Sequence, residues 1–373
     1  MSELFEKPLD ILQIAAFPFP SPQGSQVYVR GMLRALGRRG HRVRLLCYAH
    51  GQGEIDPEYE VIRAPAVRGY DNLRAGPDRV KPFLDLALVA MAARRPAQIV
   101  HAHNYEALLV ALLARPGHRA PVVYSAHTAL GEELPTYVEG RRAQAVAGWL
   151  GARLDRHLPR RAEHSVALSE RAQALLFDWG CAEVALLPPG VAPEDVAPCA
   201  PAALPPGAPW VIYTGNPDRY QELDVLLAAM AQVPEARLLL VSSSPLDAFA
   251  GALPGDRLRC VTTPDFGEVR SLIAASALGA IPRGTCAGYP IKLLNLLGMG
   301  LPTVVCEGSH RDLPGAVQVP NRDPAAMAAA IRRLLANPAE RAALGAAAAA
   351  HVQARCTWAA QAARLEALYR TLL

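Results

Sequence analysis

The chain has 373 residues, 51% hydrophobic and 19% charged, which excludes a largely disordered protein and exceeds the length at which one core keeps growing. Its seven cysteines, at 47, 181, 199, 260, 286, 306 and 356, stand singly, so neither a disulfide framework nor a zinc site is expected. Residues 1–190 carry 23 Lys plus Arg against 19 Asp plus Glu, which places the whole formal charge of +4 there. That excess is not gathered into the basic, aromatic-studded stripe of a nucleic-acid binder, so no nucleic-acid partner is expected.

Glu3, Glu6 and Asp10 precede the first apolar run, Ile11 to Phe19, unlike the basic opening of a secretory signal. No uncharged apolar stretch reaches the roughly 18 residues of a membrane span. A cytoplasmic location is expected, and the basic first half leaves peripheral contact with the inner membrane face open.

In chain order, Ile11 to Ala16 reads as a buried strand, about Val27 to Arg39 as an amphipathic helix and Arg42 to Tyr48 as a second strand. Further strands are expected at Ile99 to Ala102, Val122 to Ser125, Ser165 to Leu168 and Val184 to Leu187. Residues 192–209, with Pro193, Pro198, Pro201, Pro205 and Pro206, lose periodicity and read as a linker. A second alternation runs through strand Trp210 to Thr214, a helix near Leu223 to Ala231, strand Arg237 to Ser242, a helix near Phe266 to Ala275, and strands Leu278 to Ile281 and Thr303 to Val305. The Ala-rich tail from about Pro338 is helical by propensity, and residues 355–373 are expected to return to the first domain. The expected fold class is α/β: two Rossmann-like domains, 1–191 and 210–354, with parallel sheets facing across a cleft.

The chemistry-bearing residues gather at expected strand ends, where ligands of open α/β sheets sit. Gly24, in the turn from the first strand into its helix, lets backbone N–H groups approach an anion or a hydroxyl; a lone glycine is equally an ordinary turn. The Arg38-Arg39-Gly40-His41 ending reads as a structural cap. Two strands end in histidine, at Val100-His101-Ala102-His103 and Tyr124-Ser125-Ala126-His127. Such histidines are either structural hydrogen-bonders or ligand contacts, and no third residue is spaced to make His101 and His103 a metal site. Glu132 and Glu133 follow, as a solvated helix start or as groups for acceptor hydroxyls.

In the second half, Ile281 to Val305 reads as strand, glycine-bearing loop, helix, Gly-x-Pro turn and strand, a form suited to a pyrophosphate. Arg283 and Lys292 add positive charge there, unless Arg283 is a surface arginine and Lys292 merely snorkels. Lys7, Lys81 and Lys292 are the only lysines, which singles out the last.

Taken in order, these segments resemble the family 4 glycosyltransferases of GT-B fold over nearly the whole chain. The similarity covers the strand-Pro-Gly-helix opening with Gly24, the Arg39-Gly40-His41-Arg42-Val43 turn, both histidine strand ends, Leu187-Pro188-Pro189-Gly190-Val191, the strand from Trp210 to Gly215 and the segment closing on Gly300-Leu301-Pro302. The resemblance implies that the first domain is the acceptor side, with Glu132, Glu133 and His103, and that His127 contacts the donor sugar. It implies a nucleotide-sugar-binding second domain, with Gly215, Asn216, Arg219, Ser243, Gly288, Tyr289, Pro290, Ile291 and Asn295 about the donor together with Gly24 of the first domain.

Two departures stand out. The family's Glu-x7-Glu pattern is replaced by Ala287 and Asn295, and its basic pair after the second domain's first strand by Asn216 and Gln221. Arg219, Arg283 and Lys292 are therefore expected to share the phosphate-binding task. The implied reaction is transfer of a sugar, from a UDP-sugar rather than a GDP-sugar, with anomeric configuration retained. In it the leaving phosphate helps remove the acceptor proton, Arg283 and Lys292 stabilise its charge and His127 positions the sugar. Neither a metal nor another cofactor is expected, and the acceptor is left open among sugars, lipid-linked sugars and small molecules. The alternatives are a non-catalytic scaffold on this fold, a pseudoglycosyltransferase or an epimerase.

Overall fold

Strands apolar at consecutive positions need cover on both faces, and parallel sheets flanked by helices provide it. The computed structural model of the chain describes residues 7–21, 23–73, 76, 78–284, 289–309 and 312–373. It divides into two units, one made of the residues up to Pro189 with Trp358–Leu373, the other of Gly190–Thr357.

The first unit runs β1 (Asp10–Ala15), α1 (Gly24–Arg38), β2 (Arg42–Cys47), β3 (Glu60–Arg63), α2 (Lys81–Ala93), β4 (Ile99–His103), α3 (Asn104–His118), β5 (Val122–Ala126), α4 (Leu130–Glu133), α5 (Arg141–His157), β6 (His164–Ala167), α6 (Glu170–Asp178) and β7 (Val184–Leu186). All strand pairs are parallel, in the order β3-β2-β1-β4-β5-β6-β7. Helix α1 begins at Gly24 and ends where Gly40 takes a φ of +87°, the left-handed cap its sequence calls for.

The second unit runs α7 (Pro193–Val196), β8 (Trp210–Thr214), α8 (Leu223–Ala231), β9 (Arg237–Ser242), β10 (Leu258–Thr262), α9 (Phe266–Ala274), β11 (Leu278–Ile281), α10 (Ile291–Gly298), β12 (Thr303–Cys306), β13 (Ala316–Val319), α11 (Pro324–Ala336) and α12 (Pro338–Arg355). Its parallel sheet has the order β10-β9-β8-β11-β12-β13. Residues ahead of β8 pack on this unit: Val191 and Val196 join its core, and Ala202 N–H donates to the Ser271 carbonyl at 2.8 Å.

A last helix, α13 (Trp358–Thr371), belongs to the first unit. It packs on α1 so closely that a Cβ on Gly31 would stand 2.2 Å from the Trp358 ring, and it buries Ala362, Leu365 and Tyr369. The tail is therefore two helices rather than one continuous run. They part where the Cys356 carbonyl accepts Val191 N–H at 2.8 Å and Thr357 bridges Val191, which draws the backbone out of helical geometry.

The strands unforeseen in the sequence, β3, β10 and β13, are all edge strands. Their residues are mostly part-exposed, so no continuous apolar run marks them. Among the described residues no helix is long and apolar enough to cross a membrane, and the described cysteines are free.

Candidate functional site

Each sheet reverses its strand order once, between β1 and β4 in the first unit and between β8 and β11 in the second. Ligands of open parallel sheets bind beyond the carboxyl ends of the strands at such a switch.

In the second unit β8 runs into Gly215 and Asn216, and the loop after β11 leads into α10 with Lys292 in its first turn. The Lys292 ammonium donates to the Tyr213 hydroxyl at 2.9 Å and to Gln221 Oε1 at 2.7 Å, and lies 4.3 Å from the centre of the Tyr213 ring. The Tyr213 hydroxyl in turn donates to the Asn216 carbonyl at 2.8 Å. Gly215 has a φ of +129°, which demands glycine, and a Cβ there would press on Lys292 Nζ from 3.0 Å. Helix α10 has no side-chain cap at Pro290 and no acid in its first turn, so its positive dipole end lies beside the ammonium. This is a cationic, donor-rich corner fit for a diphosphate.

Asn295 follows Lys292 by three residues, on the same side of α10. Tyr289, half-buried, and Pro290, buried, lead into Ile291; Gly288 and Ala287 lie outside the described residues. Ser243 Oγ donates to Asn216 Oδ1 at 3.3 Å, which joins the ends of β9 and β8. Arg283 is half-buried in the loop after β11. The neighbouring Gly284 is held by Glu222, whose carboxylate accepts Gly284 N–H at 2.5 Å and a proton from Arg322 Nε at 2.7 Å. Glu222 holds a left-handed φ of +54°, a conformation uncommon for a non-glycine residue, at the start of α8. Arg219 is exposed and lines an open pocket of about 690 Å³ with Asp224, Phe249 and Arg322, and Lys292 is not among that pocket's walls.

In the first unit the register of β1, β4 and β5 sets Gln13 level with His101 and His103 level with Ser125. His103 is fully buried, 2.6 Å from Gln13 Oε1 through Nε2 and 3.2 Å from His127 Nε2 through Nδ1. With the amide so oriented, its carbonyl accepts the His103 Nε2 proton, His103 Nδ1 accepts from His127 Nε2, and His127 Nδ1 keeps a lone pair. Burial holds His127 and His101 neutral, each lowered to about 3, and lowers His103 well below its usual range, with the neighbouring histidines adding to the effect. Tyr28 packs edge-on against His127, with ring centres 5.1 Å apart. His103, placed by the sequence on the acceptor side, is thus closed off, and its reach runs through His127.

Glu132 and Glu133 diverge. Glu132 pairs with Arg171 at the surface, whereas Glu133 accepts from the hydroxyls of Thr128 and Tyr137, each at 2.5 Å. Glu133 lines a cavity of about 90 Å³ shared with Gln26, Lys81, Asn104, Glu106 and Thr128. Buried oxygens of Gln26 and Asn104 find no partner among the described residues, and Glu106 is raised to about 7, first by burial and then by the Glu133 and Asp85 charges. Gly24 stands at the start of α1, with no atom within 4 Å of where its Cβ would be. Among the described residues no group of three or more His, Cys, Asp or Glu is placed to hold a metal ion.

Gln13, Tyr28, Glu106, Tyr213 and Glu222 escaped the sequence reading. The polar Gln13 inside the apolar run Ile11 to Ala15 is the one clear signal among them, since a buried amide needs a partner.

Comparison with known proteins found relatives along nearly the whole chain. Residues 23–190 match the family described as Glycosyl transferase 4-like domain, and residues 208–337 that described as Glycosyl transferases group 1. The chain is 27% identical to the D-inositol 3-phosphate glycosyltransferase of Segniliparus rotundus, over 97% of this chain and 89% of that protein. It is 26% identical to the phosphatidyl-myo-inositol mannosyltransferase of Mycolicibacterium smegmatis, over 96% and 93%. In fold it is similar to sucrose-phosphate synthase from Thermosynechococcus elongatus, with a TM-score of 0.80 at 23% identity over 97% of this chain and 98% of that one. It is also similar to Anabaena Alr3699/HepE, solved in complex with UDP-glucose, with a TM-score of 0.70 at 14% identity over 98% and 100%.

Proposed function

This chain belongs to the family 4 glycosyltransferases of GT-B fold, and from that premise we propose a hexosyltransferase that moves a sugar from a nucleoside diphosphate sugar, UDP-linked in preference to GDP-linked, to a polyhydroxyl acceptor with retention of configuration. The observation that carries the reading is the Lys292 ammonium, held against Tyr213 and Gln221 at the start of α10. As the bond between the anomeric carbon and the diphosphate oxygen breaks, charge collects on that oxygen. Lys292, Arg283 and the α10 N–H groups stabilise it there. The acceptor hydroxyl forms the new bond on the same face and passes its proton to the leaving phosphate.

His127, neutral and with an unprotonated Nδ1, accepts from a hydroxyl of the donor sugar and holds it in place. The cavity beside Glu133, with oxygens on Gln26 and Asn104 that have no partner among the described residues, suits hydroxyl groups of the acceptor. The names of two relatives, which refer to inositol phosphate and phosphatidyl-myo-inositol, support a polyol in that place. The test is incubation with UDP- and GDP-hexoses and a panel of polyols, following nucleoside diphosphate release and the product anomer by NMR. A retained anomer formed from the UDP-sugar is expected; an inverted product, or a marked GDP preference, overturns the finer reading.

A further inference from the structure

Helix α5 has two unlike faces. Its inner side is built of small residues, Gly148 and Gly151, with Asp155 a turn further on, and it lies against the segment that carries Glu132 and Glu133. A Cβ on Gly151 would stand 2.6 Å from the Leu130 carbonyl, and one on Gly148 3.3 Å from Pro135. The Asp155 carboxylate accepts Leu130 N–H at 3.1 Å and Gly131 N–H at 2.8 Å. Close backbone approach and a buried cap therefore fasten this side of the helix.

The outer side is a stripe at helical spacing, Arg142, Val146, Trp149, Arg153 and Arg156, with Leu150 beside it. Val146 is 64% exposed, Trp149 65% and Leu150 45%. Arg142, Arg153 and Arg156 are exposed too, and none of them forms a hydrogen bond or ion pair among the described residues; Arg153 rests over the Trp149 ring, 5.9 Å from its centre. The one acid of the helix, Asp155, is spent on its inner side. Apolar side chains that include a tryptophan, set among unpaired arginines on one exposed face, combine the insertion and charge features of an interfacial helix.

We propose that this face of α5 docks the protein on an anionic lipid bilayer. Trp149, Val146 and Leu150 enter the headgroup boundary while Arg142, Arg153 and Arg156 meet lipid phosphates. The docking is independent of the donor chemistry, so the two proposals stand or fall separately. It sets the cavity-lining Glu133, next to α5, close to the bilayer surface.

Co-flotation of the full-length protein with vesicles tests this, using phosphatidylcholine alone and a phosphatidylcholine and phosphatidylglycerol mixture at low and high salt. Binding is expected on the mixed vesicles, weaker at high salt. It should fall about tenfold or more in the double variant Val146→Ser, Trp149→Ser and in Arg142→Ala, Arg153→Ala. Phe83→Ser with Leu86→Ser, exposed apolar residues on α2, should leave it intact. All these side chains face solvent, and melting by circular dichroism checks each fold. No binding to mixed vesicles at low salt, or equal binding by the α5 variants, overturns the proposal. So does capture of a single-stranded RNA, abolished by the same variants, in place of vesicle binding.

Discussion

Lys292 Nζ stands 2.7 Å from Gln221 Oε1, so a lysine on α10 delivers its charge to a glutamine on the loop after β8. Gln221 is one of the two positions where the sequence departs from the family's basic pair. The resemblance expects a cation on this loop; here the neighbouring helix brings one to it. Arg219, the other nearby substitute, points into a different, open pocket.

Gly215 tests how tightly that corner is built. A Cβ would strain a backbone held at a φ of +129° and press on Lys292 Nζ from 3.0 Å. Gly215→Ala is expected to lower stability by about 1 to 2 kcal/mol and to weaken UDP binding in the folded fraction. Thermal melting with and without UDP reads both effects, and a variant with wild-type affinity contradicts the close fit.

His127→Ala is expected to lower turnover about ten- to a hundredfold, the loss of one or two hydrogen bonds, while free UDP binds nearly as before. Gln13→Leu removes the carbonyl that fixes the His103 proton and acts through the same chain. Its effect should be a smaller drop in kcat with little change in KM for the donor. Equal losses of nucleotide affinity in both variants would mark these residues as structural.

The buried histidines set a pH dependence. His101 and His127 are lowered to about 3 and His103 also falls, so below about pH 6.5 the unfolded chain binds more protons than the folded one. Their contribution to stability is whole above that pH and is lost as pH falls towards 3. Glu106 has the opposite sign: raised to about 7, it favours the folded state at low pH and costs stability as pH rises from about 4.5 to 7. Three histidines outweigh one glutamate, so the protein should lose stability on acidification from neutrality. Glu106→Gln should raise the melting temperature at pH 8 and leave it nearly unchanged at pH 4, as followed by scanning calorimetry.

The fold was legible where burial is complete. Trp210–Thr214, Arg237–Ser242 and Leu278–Ile281 are wholly buried, and the apolar runs within them announce central parallel strands. Helix α5 was missed for the opposite reason. Its inner face is glycine and aspartate and its outer face holds the tryptophan, so no inward apolar stripe marks it. Lys292 was legible through its rarity and its place before Gly300-Leu301-Pro302, and His127 through its strand end. Their partners were not: Tyr213 and Gln221 lie more than 70 residues from Lys292, and Gln13 lies 90 residues from His103. Contacts across such separations come from strand order, which local pattern does not fix.

Calorimetric titration with UDP and GDP, on the wild-type protein and on Lys292→Ala, tests the central claim that this lysine takes over the donor-phosphate charge. Micromolar UDP binding by the wild type, weakened by about 1.5 to 3 kcal/mol in the folded variant, is the predicted result. No binding of either nucleotide, or an unchanged UDP affinity in the variant, would contradict it.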